Sequence, residues 1–539
     1  MKTISCNCSF GTSAFSSRSP WLVGALCLTL GISMAHAVEV APVFSSHMVL
    51  QRDMTVPIWG TAKPGEKITV TFRDQQKATE ADKDGKWMVK LDKLDVGKPA
   101  TLTIAGANTL TLEDVVVGEV WIGSGQSNMD MRIVTFAKDD PVLAKYAAET
   151  YPSIRMYSQT NENKMGWGVA SPKRVYFSAL LFSFAVPLQK ELDVPVGIIR
   201  AACGGSPSGP WLTEGMFNTD PACKELVAKL AADEAVQKRY AAAIAKYQED
   251  LAKWETAVAE IRAKGPATQP AREPAKPQAP AKVGECREGM GGLYRSTIQP
   301  IIPYAIRGVF WDQGESGTAV EGVDQFTLMG ALIKGWRKEW NQGDFPFIYS
   351  QKPSGCGCAW DYKDPITCMA DPFEPLPARP PYEQNGASES YIQMLRYPNT
   401  AMVITSDLGS GNHPKNKAGY GARAARVAMG AVYGKKIEYY GPMYASHKID
   451  GDRVHISYTH VGVGLAFANG EKLQGFFLAG EDKVFYWADA AIEGNEVVLT
   501  CPKVPHPVAA RYGWAWRYRW ANLFNKDGLP AIPFRTDSW

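Results

Sequence analysis

The chain has 539 residues, too many for one hydrophobic core, so about two to four domains are expected. Its 45% hydrophobic and 21% charged content is typical of a globular protein and excludes a largely disordered one. The formal net charge is only +3, and no basic tract is interleaved with aromatic residues, so no nucleic-acid partner is expected.

The N-terminus has the pattern of a secretory signal peptide, residues 1–37. Basic residues Lys2 and Arg18 precede a short apolar stretch, and Ala35-His36-Ala37 matches an A-x-A cleavage site. The stretch is too short for a good membrane span, and no later stretch is long enough, so no membrane span is expected in the mature chain. An uncleaved anchor is the alternative. The pattern therefore predicts a secreted or periplasmic protein.

Residues 38–118 predict a β-sandwich-like N-terminal domain. Short segments with alternating or β-branched residues are separated by turn signals such as Lys63-Pro64-Gly65-Glu66. These segments are 56–60, 67–72, 86–91 and 100–104. Several short strands at this spacing favour a small sandwich.

Residues 119–434 have the pattern of an α/β domain with a parallel sheet and helices on both faces. Nearly continuous apolar runs, as expected for strands buried on both faces, alternate with helical patterns. The runs are 115–123, 194–199, 306–311, 345–349 and 401–405, and helical patterns include 177–191 and about 417–429. An insertion at about 221–284, helical and then rich in Pro and Ala, is not expected to carry chemistry.

Short strand patterns return after residue 434, which predicts a C-terminal β-rich domain over 435–539. Seven cysteines follow the signal segment, so export permits disulfides and the odd count leaves at least one thiol free. Cys356, Cys358 and Cys368 favour a locally stapled loop. Zinc is the rival, but this spacing without a close His is poor for zinc, so no metal site is expected.

Ser127 is the candidate nucleophile. It lies four residues after the apolar run that ends near Gly123, in a turn where a helix could begin and favour negative charge. Taken alone, a Ser in a Gly-rich turn is usually an N-cap. In addition, Met129 stands where the nucleophile elbow of α/β-hydrolases has its second Gly.

His413 is the candidate base, partly by elimination. Of the six His in the mature chain, five fall in the β-rich regions, and His413 alone follows a strand of the α/β domain. Imidazole can take and return a proton near neutral pH. An ordinary loop His is the alternative.

Two further loops after predicted strands offer donors for an oxyanion. Gly204 and Gly205 follow the run that ends at Ile199, and paired glycines let a backbone amide approach a substrate oxygen. Gln313 follows another run, where its side chain could donate an N–H. Each signal is weak alone, because glycine turns after strands are common.

Together these motifs resemble the sialate O-acetylesterase-like family of SGNH-type serine esterases. The matching motifs, in family order, are Gly125-Gln126-Ser127-Asn128-Met129, Gly204-Gly205, Trp311-Asp312-Gln313-Gly314-Glu315 and His413-Pro414. The resemblance covers nearly all of the mature chain. It implies a flavodoxin-like SGNH core with accessory β domains, and a carbohydrate O-acetylesterase that needs no cofactor.

The resemblance also implies a role for each matched residue. Ser127 would be the nucleophile and His413 the base. The amides of Ser127 and Gly205, with the side chain of Gln313, would form the oxyanion hole. The supporting or substrate-binding candidates are Gln126, Asn128, Gly204, Trp311 and Glu315, the last of which would order its loop.

The sequence departs from the family at the group that orients His413. SGNH enzymes commonly carry an Asp two or three residues before the His, where this chain has Ser410 and Gly411. Asp407 is the nearest carboxylate. Either it orients His413 in a triad, or a backbone carbonyl does and the site is a dyad. Capping of its loop is the alternative role of Asp407.

The implied substrate is an acetylated carbohydrate. The family name points to 9-O-acetyl sialic acid, whose carboxylate would require a cation near Ser127, with Arg132, Arg295 and Arg396 as candidates. A neutral hemicellulose fragment of the xyloglucan or xylan type would instead require an aromatic platform. A non-catalytic carbohydrate-binding protein and a lipid or thioester hydrolase are two competing hypotheses for the same scaffold.

Overall fold

The computed structural model describes residues 37–159, 164–263, 273–381 and 386–539. The predicted signal peptide lies outside these residues except for Ala37, as do residues 264–272 of the predicted insertion. The part from Ala37 to Trp539 is one compact unit. Within the described ranges, no helix combines the length and the hydrophobicity that crossing a bilayer requires.

The N-terminal region contains two small antiparallel sheets. Its strands are β1 (Glu39–Val40), β2 (Val49–Gln51), β3 (Val56–Thr61), β4 (Lys67–Phe72), β5 (Gln75–Glu80), β6 (Lys86–Leu91) and β7 (Ala100–Ala105). Strands β1, β3 and β6 form one sheet, and β4 pairs with β5 and β7 in the other. Buried and exposed residues alternate along β4 and β6, so one face of each strand packs on the core.

Strand β8 (Thr109–Gly125) crosses the domain boundary predicted at residue 118 without interruption. Its first half pairs antiparallel with β7, and its second half runs parallel to strands of the central sheet. Its burial changes accordingly, from alternating to continuous at Val115. No linker therefore separates the N-terminal region from the α/β part, because one strand belongs to both.

The central sheet is parallel apart from one edge strand. Its other strands are β9 (Tyr151–Gln159), β10 (Lys164–Ala170), β11 (Val196–Ala202), β12 (Gly308–Asp312), β13 (Phe347–Ser350) and β14 (Thr400–Val403). Six parallel strands stand in the order β9-β11-β8-β12-β13-β14, and without β9 the other five follow the flavodoxin-like order 2-1-3-4-5 along the chain. Strand β9 extends the sheet beyond β11, and β10 pairs antiparallel with β9.

Ten α-helices lie within the described residues. They are α1 (Ser127–Asp130), α2 (Ile133–Phe136), α3 (Pro141–Ala148), α4 (Ala179–Leu192), α5 (Glu214–Thr219), α6 (Pro221–Ala232), α7 (Glu234–Ala263), α8 (Gln325–Trp340), α9 (Gly386–Gln393) and α10 (Lys417–Ala431). Helices α6 and α7 form the helical part of the predicted insertion.

Helices cover both faces of the central sheet. Phe310 and Trp311 are neighbours on β12, so their side chains lie on opposite faces. The ring of Phe184 from α4 is 5.5 Å from that of Phe310, and the ring of Trp336 from α8 is 5.9 Å from that of Trp311. Helix α4 therefore covers one face and α8 the other, and the predicted α/β class is confirmed.

The C-terminal region contains three small antiparallel sheets. Its strands are β15 (Met443–Asp450), β16 (Arg453–Thr459), β17 (Leu465–Phe467), β18 (Phe476–Ala479), β19 (Phe485–Trp487), β20 (Asp489–Glu493), β21 (Glu496–Thr500), β22 (Ala509–Tyr512), β23 (Leu523–Asn525) and β24 (Phe534–Arg535). The sheets are β15-β16-β21-β20, β17-β23 and β19-β18-β22-β24.

The predicted cysteine staple is wrong, because Cys356, Cys358 and Cys368 all carry free thiols. Cys356 and Cys358 are buried, and burial raises the pKa of both thiols to about 12. The Cys358 thiol donates to the carbonyl of Ala521 in the C-terminal region, at 3.3 Å. These two cysteines therefore act as small buried side chains between the central and C-terminal regions, while Cys368 is exposed.

Glu119 joins three segments of the fold from the middle of β8. Its buried carboxylate accepts from Arg307 Nε at 2.6 Å and from Arg52 Nε at 2.5 Å. Burial raises the pKa of Glu119, but the two arginines lower it by more, so the pKa lies below its ordinary value. Because Arg52 follows β2 and Arg307 precedes β12, the pair of contacts ties the N-terminal region to the central sheet.

Replacing Glu119 by Gln is expected to lower the free energy of unfolding by about 2 kcal/mol. This is below the roughly 3–5 kcal/mol for breaking a fully buried ion pair, since the two arginine side chains are 22–23% exposed. Thermal denaturation of the full chain measures the effect. Glu113→Gln, on the exposed part of β8, is the matched control and should leave Tm nearly unchanged. Equal Tm values for Glu119→Gln and the wild type would contradict the prediction.

Candidate functional site

Ser127 and His413 meet at the carboxyl ends of the central strands. Ser127 opens α1 directly after β8, and His413 lies in the loop between β14 and α10. The two residues are 286 positions apart in sequence, yet His413 Nε2 lies 2.9 Å from Ser127 Oγ. This is the hydrogen-bond distance expected between a nucleophile and its general base.

A tight turn at the end of β8 sets the position of Ser127. Gly125 has φ +117°, and a Cβ there would lie 2.2 Å from the carbonyl oxygen of Asp312 on β12, so only glycine allows this approach. The next amide, Gln126 N, donates to the same carbonyl at 2.8 Å. Helix α1 has a single turn, so the dipole contribution predicted from the sequence is small.

Gly204 and Gly205 border the nucleophile from the end of β11. A Cβ on Gly204 would lie 3.8 Å from the Cβ of Ser127, whereas one on Gly205 would meet no atom within 4 Å. Gly205 is exposed with φ +75°, and its carbonyl accepts from Ser316 Oγ at 3.1 Å. An amide at this open position suits the predicted oxyanion role, which stays a prediction.

Gln313 and Trp311 are both buried. Gln313 Nε2 donates to the Gly317 carbonyl at 2.8 Å, and its Oε1 accepts from Ser208 Oγ at 2.6 Å. The Gln313 amide therefore secures the loop after β12, and its donation to an oxyanion stays a prediction. Trp311 is 1% exposed and packs edge-to-face against Trp336. This burial favours the supporting role predicted for Trp311, and its contact with substrate stays a prediction.

Gln126 and Glu315 hold the loop after β12 against the nucleophile turn. Gln126 Oε1 accepts from the backbone amide of Ser316 at 3.3 Å. Glu315 Oε1 accepts from Lys352 Nζ at 2.7 Å and from Asn128 Nδ2 at 3.1 Å. Both side chains are thus used to order the loop, the role expected for Glu315.

Asn128 connects the nucleophile turn with the loop that carries His413. Its Nδ2 donates at 3.0 Å to the carbonyl of Asn412, the residue before His413, and its Oδ1 accepts from Lys417 Nζ at 2.6 Å. Asn128 and Lys417 are both 1% exposed. Because Asn128 directly follows Ser127, this buried bridge fixes the His413 backbone relative to the nucleophile.

Two buried lysines place positive charge near His413. Burial lowers the pKa of Lys417 to about 7. The ammonium of Lys352 lies 2.8 Å from Asp312 Oδ1 and pairs with Glu315 as well. Partial burial lowers the pKa of His413, and Lys417 and Lys352 lower it further, whereas Glu315 raises it. The balance keeps His413 neutral, as a general base must be, at neutral pH.

Asp407 forms a buried ion pair with Arg423 of α10. The two Oδ atoms accept from the guanidinium at 2.8 and 3.1 Å. Within the described ranges, no hydrogen bond joins Asp407 to His413. Asp407 thus anchors α10 to the end of β14, and no contact seen within the described residues supports its predicted role in orienting His413. The geometry favours the dyad.

Neither buried lysine was predicted from the sequence, although Lys417 had a local signal. Lys417 follows His413 by four residues and lies in the first turn of α10, among small and apolar residues. The arginine candidates have other contacts: Arg132 stacks over Tyr176 at 5.8 Å, and Arg295 donates to the Met290 carbonyl at 3.1 Å. Arg396 ends a short 3₁₀ helix.

Asp407→Asn is expected to lower the free energy of unfolding by about 3 kcal/mol, because Arg423 loses its buried partner. The kcat of the folded enzyme should stay within about tenfold of wild type, since loss of the orienting carboxylate in a Ser-His-Asp triad costs about 10⁴. Denaturation curves measure the change in the free energy of unfolding. Ester hydrolysis, at a temperature below the Tm of both wild type and variant, measures kcat. Arg423→Gln should reproduce both results. A 10⁴-fold loss of kcat at unchanged Tm would instead make Asp407 part of a triad.

His413 acts as a base only when neutral, so kcat/KM falls as the pH drops through its pKa. Because that pKa lies below the ordinary 6.5, we expect the acid limb of the pH profile below pH 6.5. Lys417→Met removes a neighbouring positive charge and should move the limb to higher pH. Lys415→Met is the matched control, because Lys415 is exposed and pairs with Asp139. An identical acid limb in Lys417→Met and wild type would refute the coupling.

Comparison with known proteins gives similarity over most of the chain, although no protein-family model matches it. Sialate O-acetylesterase of Rattus norvegicus is 25% identical over 79% of this chain and 80% of its own length. The human enzyme of the same name is 25% identical over 79% of this chain and 78% of its own length. The crystal structure of a novel carbohydrate acetylesterase from Xanthomonas citri has a TM-score of 0.70 and 26% identity, covering 93% of this chain and 100% of that chain. Similarity of this extent in sequence and fold supports the sialate O-acetylesterase-like family and an acetylesterase, a carboxylic ester hydrolase.

Proposed function

We propose that this chain is a secreted carbohydrate O-acetylesterase with a flavodoxin-like SGNH core. The observation that carries the proposal is the 2.9 Å contact between Ser127 Oγ and His413 Nε2, at strand ends in the 2-1-3-4-5 order. The names of the rat and human relatives and of the Xanthomonas structure support acetyl esters of sugars as substrates. The signal-peptide pattern of residues 1–37 supports export to the periplasm or medium.

The proposed reaction has two acyl-transfer steps. His413 takes the proton of Ser127 Oγ as that oxygen attacks the acetyl carbonyl carbon. The amides of Ser127 and Gly205, with Gln313, stabilise the oxyanion. The intermediate then collapses, and the sugar oxygen leaves with the proton from His413. Water, deprotonated by His413, attacks the acetyl-Ser127 ester, and acetate leaves as Ser127 regains its proton.

In the proposed dyad, the buried bridge from Asn128 takes over the orienting task of the missing aspartate. The bridge holds the Asn412 carbonyl and therefore the backbone of His413, and Lys417 fixes the amide of Asn128. A histidine that is positioned through its backbone does not need a carboxylate hydrogen-bonded to its second ring nitrogen, Nδ1. The arrangement supports catalysis without a contact from Asp407.

Two substrate classes have support. The names of the rat and human relatives favour O-acetylated sialic acid. A half-exposed tryptophan, Trp516, lies in a cavity beside the site and favours the second candidate, an acetylated hemicellulose oligosaccharide of the xyloglucan or xylan type. The formed contact between Ser127 and His413 argues against a non-catalytic carbohydrate-binding protein.

Ser127→Ala is expected to lower kcat for acetate release by at least about 10⁴, because the nucleophile acts as a unit with its base. Acetate is measured with O-acetyl sialic acid, acetylated xyloglucan oligosaccharides and acetylated xylan oligosaccharides. Circular dichroism checks that the variant is folded, and Ser446→Ala, on an exposed strand, is the matched control. Turnover above a few per cent of wild type in Ser127→Ala would overturn the proposal.

A further inference from the structure

A cavity of about 250 Å³, close to the lower end of small-ligand sites at roughly 300 Å³, is lined by Glu315 and Asn412, both of which contact Asn128 next to Ser127. Its walls come from the loop after β12, from residues 353–356 after β13, and from residues 410–412 directly before His413. Lys352 and Tyr391 also line the cavity, and the C-terminal region contributes Trp516 and Arg517. The cavity therefore shares its wall with the loop that carries His413.

Trp516 is held out of the C-terminal core by an anchored turn. The ring is 50% exposed, whereas Trp514 and Tyr518, two residues away on either side, are buried. The amide of Tyr518 donates to the Cys356 carbonyl at 2.7 Å, so the turn is fixed to another wall of the cavity. An indole held in this way offers a flat apolar face to a ligand. The C–H face of a pyranose ring has the matching shape and polarity.

Arg517 supplies the cavity with a positive charge. Across the described ranges, Arg517 takes part in no ion pair, whereas Arg519 pairs with Asp371 and with Glu374, each at 3.0 Å. The other two charges of the cavity wall, on Lys352 and Glu315, pair with each other at 2.7 Å. A guanidinium in this setting suits a planar carboxylate.

We propose that Trp516 and Arg517 form a sugar-binding subsite for the leaving-group part of the substrate. Trp516 stacks on a pyranose ring, and Arg517 binds a carboxylate on that ring or on the next sugar. Carboxylated pyranoses occur both as sialic acids and as uronic acid residues of hemicellulose, which share this chemistry. The inference rests on the proposed esterase function and gives the C-terminal region a direct part in substrate selection.

The stacking contact is tested by comparing a large and a small substrate. Trp516→Ala is expected to lower kcat/KM for acetylated sugars roughly tenfold, mainly through KM, because the stacking surface is lost. Hydrolysis of ethyl acetate, which is too small to fill the cavity, should not change. Trp539→Ala removes another exposed tryptophan, 38% exposed and outside the cavity, and should affect neither substrate. Equal losses on both substrates in Trp516→Ala, or no loss on sugars, would overturn the proposal.

The charge is tested by Arg517→Gln with three substrates: O-acetyl sialic acid, acetylated glucuronoxylan oligosaccharides and neutral acetylated xyloglucan oligosaccharides. The variant should lower kcat/KM roughly tenfold for a carboxylated substrate, as expected for loss of a charge-assisted pair, and leave the neutral one unchanged. Arg517→Lys should retain part of the activity. The carboxylated substrate that responds identifies the source of the carboxylate. The same loss on the neutral substrate, or none on either carboxylated one, would refute the role of Arg517.

Binding without turnover separates this inference from the proposed function. Calorimetric titration of Ser127→Ala with intact acetylated sugar gives the Kd of the unreacted substrate. In the double variant that also carries Trp516→Ala, Kd should rise by the same factor as KM rises in Trp516→Ala alone. If the wild type hydrolyses ethyl acetate but no acetylated sugar, the carbohydrate esterase function fails. If acetylated sugars are hydrolysed and bound equally well with and without Trp516 and Arg517, only the subsite fails.

Discussion

The backbone contact between Gln126 N and the Asp312 carbonyl closes the end of β8 onto β12, and the active arrangement depends on it. Gly125 makes the contact sterically possible, and Ser127 follows two residues later. The same end of β12 carries the loop with Gln313 and Glu315, so the two loops share one anchor. A rigid sheet edge thus holds the nucleophile where the strand order reverses, the place where open α/β sheets bind ligands.

Behind this edge, buried charges order the loops that carry Ser127 and His413. Lys352 joins Asp312 to Glu315, and Lys417 holds Asn128, so each ammonium satisfies a polar group that burial would otherwise leave costly. Partial burial and the same two lysines keep the pKa of His413 below its ordinary value. Lys417 therefore acts on both the position of the histidine, through Asn128, and its pKa.

The accessory β regions are bound to the α/β part by shared elements and not by flexible linkers. Strand β8 belongs to both the N-terminal region and the central sheet, and the Glu119 carboxylate adds ionic contacts across the same junction. On the other side, the buried Cys358 and the amide of Tyr518 connect the C-terminal region to the loop after β13. Rigid attachment of this kind lets a distant β region contribute side chains to the rim of the site.

The sequence by itself determined the five core strands, because a strand buried on both faces must be a continuous apolar run. Motif order was also sufficient to pair Ser127 with His413, which the structure places in contact. Strand β9 was not predicted, because its polar and basic residues break the apolar pattern, and the predicted cysteine staple was wrong. Only the tertiary structure decided the partners of the charges: Asp407 pairs with Arg423, and Lys417 reaches Asn128 across 289 positions. Such choices depend on distances between segments far apart in the chain, which local spacing does not encode.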